Sequence, residues 1–546
     1  MKQSSLNKYL LLLPFLFYGL LTLFPPLPWF IIQEPLFIQV LCFIFILLAS
    51  VFYTQHNHTW YARLETVINR NHTFVLFFFF VLYLLLPFQN LNWGDGILLI
   101  ETNDLETKLF GAQISMDELF EAQLHSYTQV FFRFLGWDQD NRFSYRVLST
   151  FAGFFFLMSV GFFLKTKQSK VTNTLSLSVF LTSLGTLIFY GYIEHYTIVS
   201  LFIFITILSI RNWLILEKDS TYILVGATLL VVLGIYLHLV AGYFIIMLTY
   251  LWWTLSPRED KFKHLILCAG IGGVLLCVGF YYYLFVHDPA IDRQSSHVLH
   301  PPFYPIKRLI SLNHVKEIFS LMVWNSLLPV ILLSYYFIFH KKDFQLLFSK
   351  RENRFLFAAT LSFLCHGFFH NPQLGFPADW DLMGFYWIPF AFLGYVILDS
   401  DQKIRTLFFP IILFNLFLLG FNAKKLSETN PSDENLVSLT HKLVDNYVLE
   451  NQAYITTLRK EDKKFFAKGD FFFFKAERIT SNLCPFEGQQ PLRLELKELR
   501  KEWQAASRNG QLQDKTWNFQ FLKKATITNT EYIKSLKVYK ICHLEL

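Results

Sequence analysis

Apolar residues fall in blocks along this chain rather than singly. Each block runs roughly 16–23 residues, which as a helix crosses a hydrocarbon layer of about 30 Å. About thirteen such segments centre near residues 17, 45, 81, 156, 183, 204, 229, 247, 276, 330, 362, 391 and 413. Two of them meet at His238. The first, YLLLLPFLFYGLLTLF, follows Lys2 and Lys8. PPLPWF comes after it, with no small-x-small cleavage pattern, so it reads as a retained span rather than a signal peptide. The pattern predicts a polytopic α-helical membrane protein over residues 1–421.

Composition agrees. Of 546 residues, 53% are hydrophobic and 16% charged, against about 25% charged in a soluble protein. The net charge of +7 sits in short loops between apolar blocks, which points to no nucleic-acid partner. The loops ARLETVINR, KTKQSK, RNWLILEKDS, PREDKFKH, HKKDFQLLFSKRENR and DSDQKIR hold, with the N-terminal tail, roughly nineteen Lys and Arg, and the alternate loops, longer in total, hold less than half that number. Lys and Arg stay on the cytoplasmic side. The expected orientation is therefore a multi-pass protein of the inner (cytoplasmic) membrane, N-terminus cytoplasmic and C-terminus outside.

With that orientation, four polar clusters share the outer face: NWGDG (92–96), GYIEHY (191–196), HDPAIDR (287–293) and FPADWD (376–381). Ionisable groups beside the apolar zone are costly and mark function, although any one of them also suits an ordinary solvated helix end. Gly94 and Gly96 free the backbone around Asp95 for a tight turn or close approach to a ligand. The outer loop 90–145 then carries SMDELFEAQLHSYTQVFFRFLG, in which Met116, Leu119, Phe120, Leu124, Tyr127, Phe131 and Leu135 recur every three to four residues. Glu118, Gln129 and Arg133 mark the other face. This is an expected interfacial helix with its stripe in the acyl boundary, or a lid packed on the spans. NRFSYRVLS places Arg146 where it can snorkel to headgroups or hold a phosphate.

The ordered run GDG…DELFEAQLH…YRVLS, GYIEHY, NHVKEIFSLMVWNSLLP (313–329) and PADWDL (377–382) resembles the GT-C class of integral-membrane glycosyltransferases, and within it a group of bacterial GT-C-like proteins. The resemblance covers most of residues 1–420. It implies a polyprenyl-phosphate-linked sugar donor, an acceptor that is a glycan, lipid or protein, inversion at the anomeric centre, and an aspartate of the first outer loop at the active site. No WWDYG-like signature occurs, which speaks against an oligosaccharyltransferase.

Carried onto this sequence, Asp95 is the expected general base, since partial desolvation makes an interfacial carboxylate a better one. Glu194 is the second catalytic acid. Arg146, His125, His195 and Trp380 are expected to bind substrate. Asp379 and Asp381, sharing a face if extended, fit a divalent cation, Mg²⁺ or Mn²⁺, with oxygen ligands; they fit a helix cap equally well. His287, His297 and His300 match no zinc spacing. Two other classes stay open: a transporter or lipid flippase, and a non-catalytic membrane assembly protein. Transporters place their charged sites near the midplane, whereas these acids gather at one rim.

Beyond residue 421 the apolar blocks vanish. SDENLVSLTHKLVDNYVLE and LRLELKELRKEWQAASRNG read as helices. DFFFFKAERIT and ATITNTEYIKSLKVYKICHLEL read as strands. Residues 422–546 are thus expected to form a small α/β domain on the outer face, with Cys484 and Cys542 as its two cysteines.

The orientation predicts a labelling pattern. Single cysteines near Asp104 and Asn313 should react with an impermeant thiol reagent in intact cells, and cysteines near Lys167 and Lys342 should not. Labelling of the second pair would reverse the orientation.

Overall fold

A computed structural model describes residues 10–21, 35–54, 59–89, 119–137, 142–164, 173–282, 303–371, 380–428, 483–484 and 490–508, with 520, 521, 524, 528, 531, 540 and 541. The chain divides into two compact units. One comprises Met1–Leu109, Met116–Tyr282 and Pro302–Glu428, the other Phe110–Ser115, Tyr283–Pro301 and Thr429–Leu546.

The first unit is helical. Among the described residues, six helices are long and apolar enough to cross a membrane: Arg142–Phe162, Tyr196–Ile215, Ser220–Leu237, Lys261–Tyr281, Leu312–Phe339 and Gln402–Ser427. Thr59–Arg70 and His72–Leu85, bent by 75° at their junction, add a seventh if they form one span. Shorter apolar helices cover Ile38–Tyr53, Leu239–Leu255 and Trp387–Ser400. The protein is a helical, multi-pass membrane protein. Exposed Phe, Leu and Val side chains on these helices match what lipid accepts.

The segment near residue 183 departs from the continuous helix its hydropathy predicts. It is broken into Thr174–Leu177, Ser178–Leu181 and Leu184–Phe189, and every residue in these pieces is buried. Breaks free backbone carbonyls, and in an apolar layer these persist only where protein groups satisfy them. The Asn415 side-chain amide donates to the Thr182 carbonyl at 3.0 Å. The Ser149 hydroxyl donates to the Ile188 carbonyl at 2.7 Å, and the Phe88 N–H to the Tyr190 carbonyl at 2.6 Å. Small residues let the segment sit this deep: a Cβ on Gly185 would meet the Trp387 indole at 2.5 Å.

A second break follows from Pro329. Proline has no N–H to give the carbonyl four residues earlier, here that of Asn325. The Ser183 hydroxyl donates to that carbonyl instead, at 2.5 Å. Ser326 leaves helical geometry (φ −131°, ψ 26°) and kinks Leu312–Phe339. At His238 a third break separates Ser220–Leu237 from Leu239–Phe244; the His238 ring accepts from the Val240 N–H at 3.1 Å.

Polar contacts collect at both ends of the helices. At one end Arg405 meets Glu65 at 2.6 Å. The Glu65 carboxylate also accepts from Asn173 at 2.6 Å and Gln402 at 3.0 Å. At the other end of Gln402–Ser427 the Leu426 carbonyl accepts from the Gln89 N–H at 2.8 Å.

In the second unit, helix Gln490–Arg508 buries Leu496, Leu499 and Ala506. Leu483–Cys484 pairs antiparallel with Lys540–Ile541, Cys484 opposite Lys540. Of the stretch expected as strand from residue 525, Thr528 and Glu531 are helical and Lys540–Ile541 is strand. The Thr528 hydroxyl bonds the Lys524 carbonyl one turn back and Glu495 on the neighbouring helix, so packing overrides the β-branched propensity. The helix expected at 432–450, the strand at 470–480 and Cys542 lie outside the described residues.

Glu65 and Arg405 are both nearly buried (side chains 6% and 11% exposed). Removing one partner of a buried pair leaves an uncompensated charge. Arg405→Ala should therefore lower stability by about 3–5 kcal/mol, read as thermal unfolding in detergent. Arg405→Ala with Glu65→Gln should recover part of the loss.

Candidate functional site

Helix Leu119–Phe134 forms where the sequence predicts it, but its inward face is polar. Glu121, His125 and Gln129, one turn apart, are all buried. Leu124, Tyr127, Phe131 and Phe134 are exposed, Phe134 at 86%. A helix lying in lipid has this inverted amphipathicity. Gln129, assigned from the sequence to the opposite, polar face, thus packs inward. Glu121 was missed altogether; the i, i+4, i+8 spacing of Glu121, His125 and Gln129 was the available signal.

This polar face meets helix Arg142–Phe162. His125 stacks on Tyr145, ring centroids 4.2 Å apart. The Tyr145 hydroxyl hydrogen-bonds the His195 ring at 2.9 Å, and His125 and His195 are 5.1 Å apart. Glu121 lies 3.9 Å from the His125 ring. It also accepts from the Ile198 N–H at 3.3 Å, in the first turn of Tyr196–Ile215, where an anion suits the helix dipole.

One turn beyond, Ser149 accepts from the Tyr192 N–H at 3.1 Å while bonding Ile188. This fixes the turn Tyr190–Tyr192. Gly191 holds a positive φ of 71°, and the Arg146 side chain lies 3.3 Å from where its Cβ would be. Arg146 donates to the Gln89 side chain. A β-carbon at 191 would both strain the backbone and press on Arg146.

Tyr192 leads to the second pair of expected residues. Its ring lies 5.8 Å from Trp380, which packs edge-on to Trp324 at 4.9 Å. Burial first, then the negative charges of Asp381 and Glu194, push the Tyr192 phenol well above its ordinary range, so at neutral pH it stays a neutral donor. Asp381 and Glu194 are 5% and 2% exposed. Asp381 also accepts from the Leu382 N–H at 2.9 Å, as a residue opening the short helix Trp380–Met383 does. The Pro329 kink contributes as well: the Asn325 amide donates to the Gly384 carbonyl at 3.2 Å, tying the kink to that short helix.

The structure thus brings His125, Tyr145 and His195 together, joins Arg146 to the same turn, and gathers Glu194, Asp381 and Trp380 around Tyr192. Asp95 and Asp379 lie outside the described residues, as do His287, His297 and His300. Among the described residues no three His, Cys, Asp or Glu side chains converge as metal ligands would.

Compared with models of protein families, with curated proteins and with solved structures, the chain matches none.

Tyr145→Phe removes the hydroxyl that meets His195. A buried polar group left unpaired costs about 1–3 kcal/mol. The variant should lose that much stability in thermal unfolding. In the His195→Phe background the same change should cost clearly less.

Proposed function

We propose that this chain is a GT-C-like glycosyltransferase of the cytoplasmic membrane, with thirteen spans, its N-terminus cytoplasmic and its C-terminal α/β domain outside. It transfers a sugar from a polyprenyl-phosphate-linked donor to a glycan, lipid or protein acceptor at the outer face. One observation carries the reading: Tyr192, on the turn that carries Glu194 and His195 and packs Arg146, lies 5.8 Å ring to ring from Trp380, the neighbour of Asp381, so polar groups remote in sequence meet. A single polar site at one rim suits interfacial chemistry. The expected orientation draws support from Glu65, whose contacts with Asn173, Gln402 and Arg405 join three segments expected on the same side.

In this reading the acceptor oxygen attacks the anomeric carbon as a carboxylate, Asp95 by the resemblance, takes its proton. The bond from the anomeric carbon to the phosphate oxygen breaks, and polyprenyl phosphate leaves with the electron pair. Arg146 offers the leaving phosphate a bidentate contact. Glu194 and Tyr192 orient the sugar or acceptor hydroxyls. Mg²⁺ or Mn²⁺ on Asp379 and Asp381 belongs to the same proposal. Among the described residues no three ligands converge and Asp379 lies outside them, so no step is assigned to it.

A transporter or flippase is the second reading, favoured by the broken segment 174–189, because discontinuous helices line transport sites. One experiment separates them. Purified protein in nanodiscs is offered a panel of polyprenyl-phosphate sugars, and free polyprenyl phosphate is measured. Wild type should release it from at least one donor. Asp95→Asn and Glu194→Gln should slow release about 10²-fold or more. No release from any donor overturns the transferase, and movement of intact donor across liposomes then supports transport. Neither outcome leaves the assembly role.

A further inference from the structure

The inward face of Leu119–Phe134 holds a feature that this mechanism does not use. Gln129 is 0% exposed, and neither its amide nitrogen nor its amide oxygen has a hydrogen-bond partner among the described residues. A buried carboxamide without partners is disfavoured unless something polar meets it. It stands one turn from His125 and two from Glu121 on the same buried stripe, beside the Tyr145–His195 pair.

The chemistry of this stripe is selective. A carboxamide offers a donor and an acceptor side by side, which pair with two neighbouring hydroxyls. A carboxylate accepts from a hydroxyl and repels phosphate. We infer that Glu121, His125 and Gln129 form a subsite for a neutral polyhydroxylated ring, a sugar with a vicinal diol, with Gln129 reading the diol. The inference rests on the glycosyl-transfer reading for the identity of the moiety. It then divides the site: the sugar ring lies under Leu119–Phe134, and the phosphate lies toward Arg146, away from Glu121. It also gives the inverted helix a purpose, since its apolar side faces lipid while its polar side covers the sugar.

The test uses binding, not turnover. The purified full chain in detergent is titrated with methyl glycosides of a hexose, an N-acetylhexosamine and a pentofuranose, and with their deoxy analogues lacking the diol, by saturation-transfer NMR. Inorganic phosphate serves as competitor. At least one glycoside should bind saturably. Its deoxy analogue and the Gln129→Leu variant should each bind at least tenfold more weakly, and phosphate should not compete. Gln129→Asn, which keeps the carboxamide on a shorter stem, guards against misfolding and should weaken binding less than Gln129→Leu. Absence of saturable binding by every glycoside, equal binding by Gln129→Leu, or displacement by phosphate overturns the subsite. Glycoside binding that needs Gln129 without release of polyprenyl phosphate would sink the transferase and spare the subsite. Donor turnover unaffected by Gln129→Leu would do the reverse.

Discussion

Inside a bilayer every backbone polar group has to find a partner within the protein. The first unit is organised around meeting that demand where its helices break. Thr182, Ile188, Tyr190 and Asn325 each expose a carbonyl that ordinary helix geometry would have covered. Asn415, Ser149, Phe88 and Ser183 cover them. Each partner comes from a different part of the chain, so the four bonds also pin those parts together. The broken segment is held as firmly as a helix while running an irregular path, and it ends in the turn that carries Tyr192, Glu194 and His195.

The site follows from those same bonds. Ser149 serves both sides: its hydroxyl covers Ile188 and its oxygen receives Tyr192. One turn earlier on that helix, Tyr145 holds His195. The Pro329 kink frees Asn325, whose amide fixes the Gly384 carbonyl behind Trp380 and Asp381. Breaks and the candidate site's side chains thus lie next to each other because the groups that repair the backbone also orient those side chains. Helix Leu119–Phe134 covers one side of this arrangement and keeps its apolar side exposed.

Much of this could be read from the sequence, and the remainder has a physical reason. Periodicity found helices 119–134 and 490–508. That the segments carrying His125, Arg146 and His195 lie close together was foreshadowed by the motif order. The break near residue 183 was not, since hydropathy sees apolar content and not hydrogen-bond partners supplied from Asn415 or Ser149. The apolar stripe of 119–134 is exposed, as an interfacial helix requires; the burial of Glu121 and Gln129 was not legible, because periodicity gives a face and not what packs against it. Within the stretch expected as strand after residue 525, Thr528 is helical because it bonds Lys524 and Glu495, while Lys540–Ile541 is strand.

The central claim is that acids from distant segments form one site through Tyr192. A double-mutant cycle on Glu194→Gln and Asp381→Asn, followed by unfolding of the purified protein in detergent, tests it without reference to activity. Groups that share a partner couple by about 0.5–3 kcal/mol, whereas independent sites add within about 0.3–0.5 kcal/mol. The account predicts coupling in the first range, abolished when Tyr192 is replaced by Phe. Additive effects, unchanged by Tyr192→Phe, would contradict it.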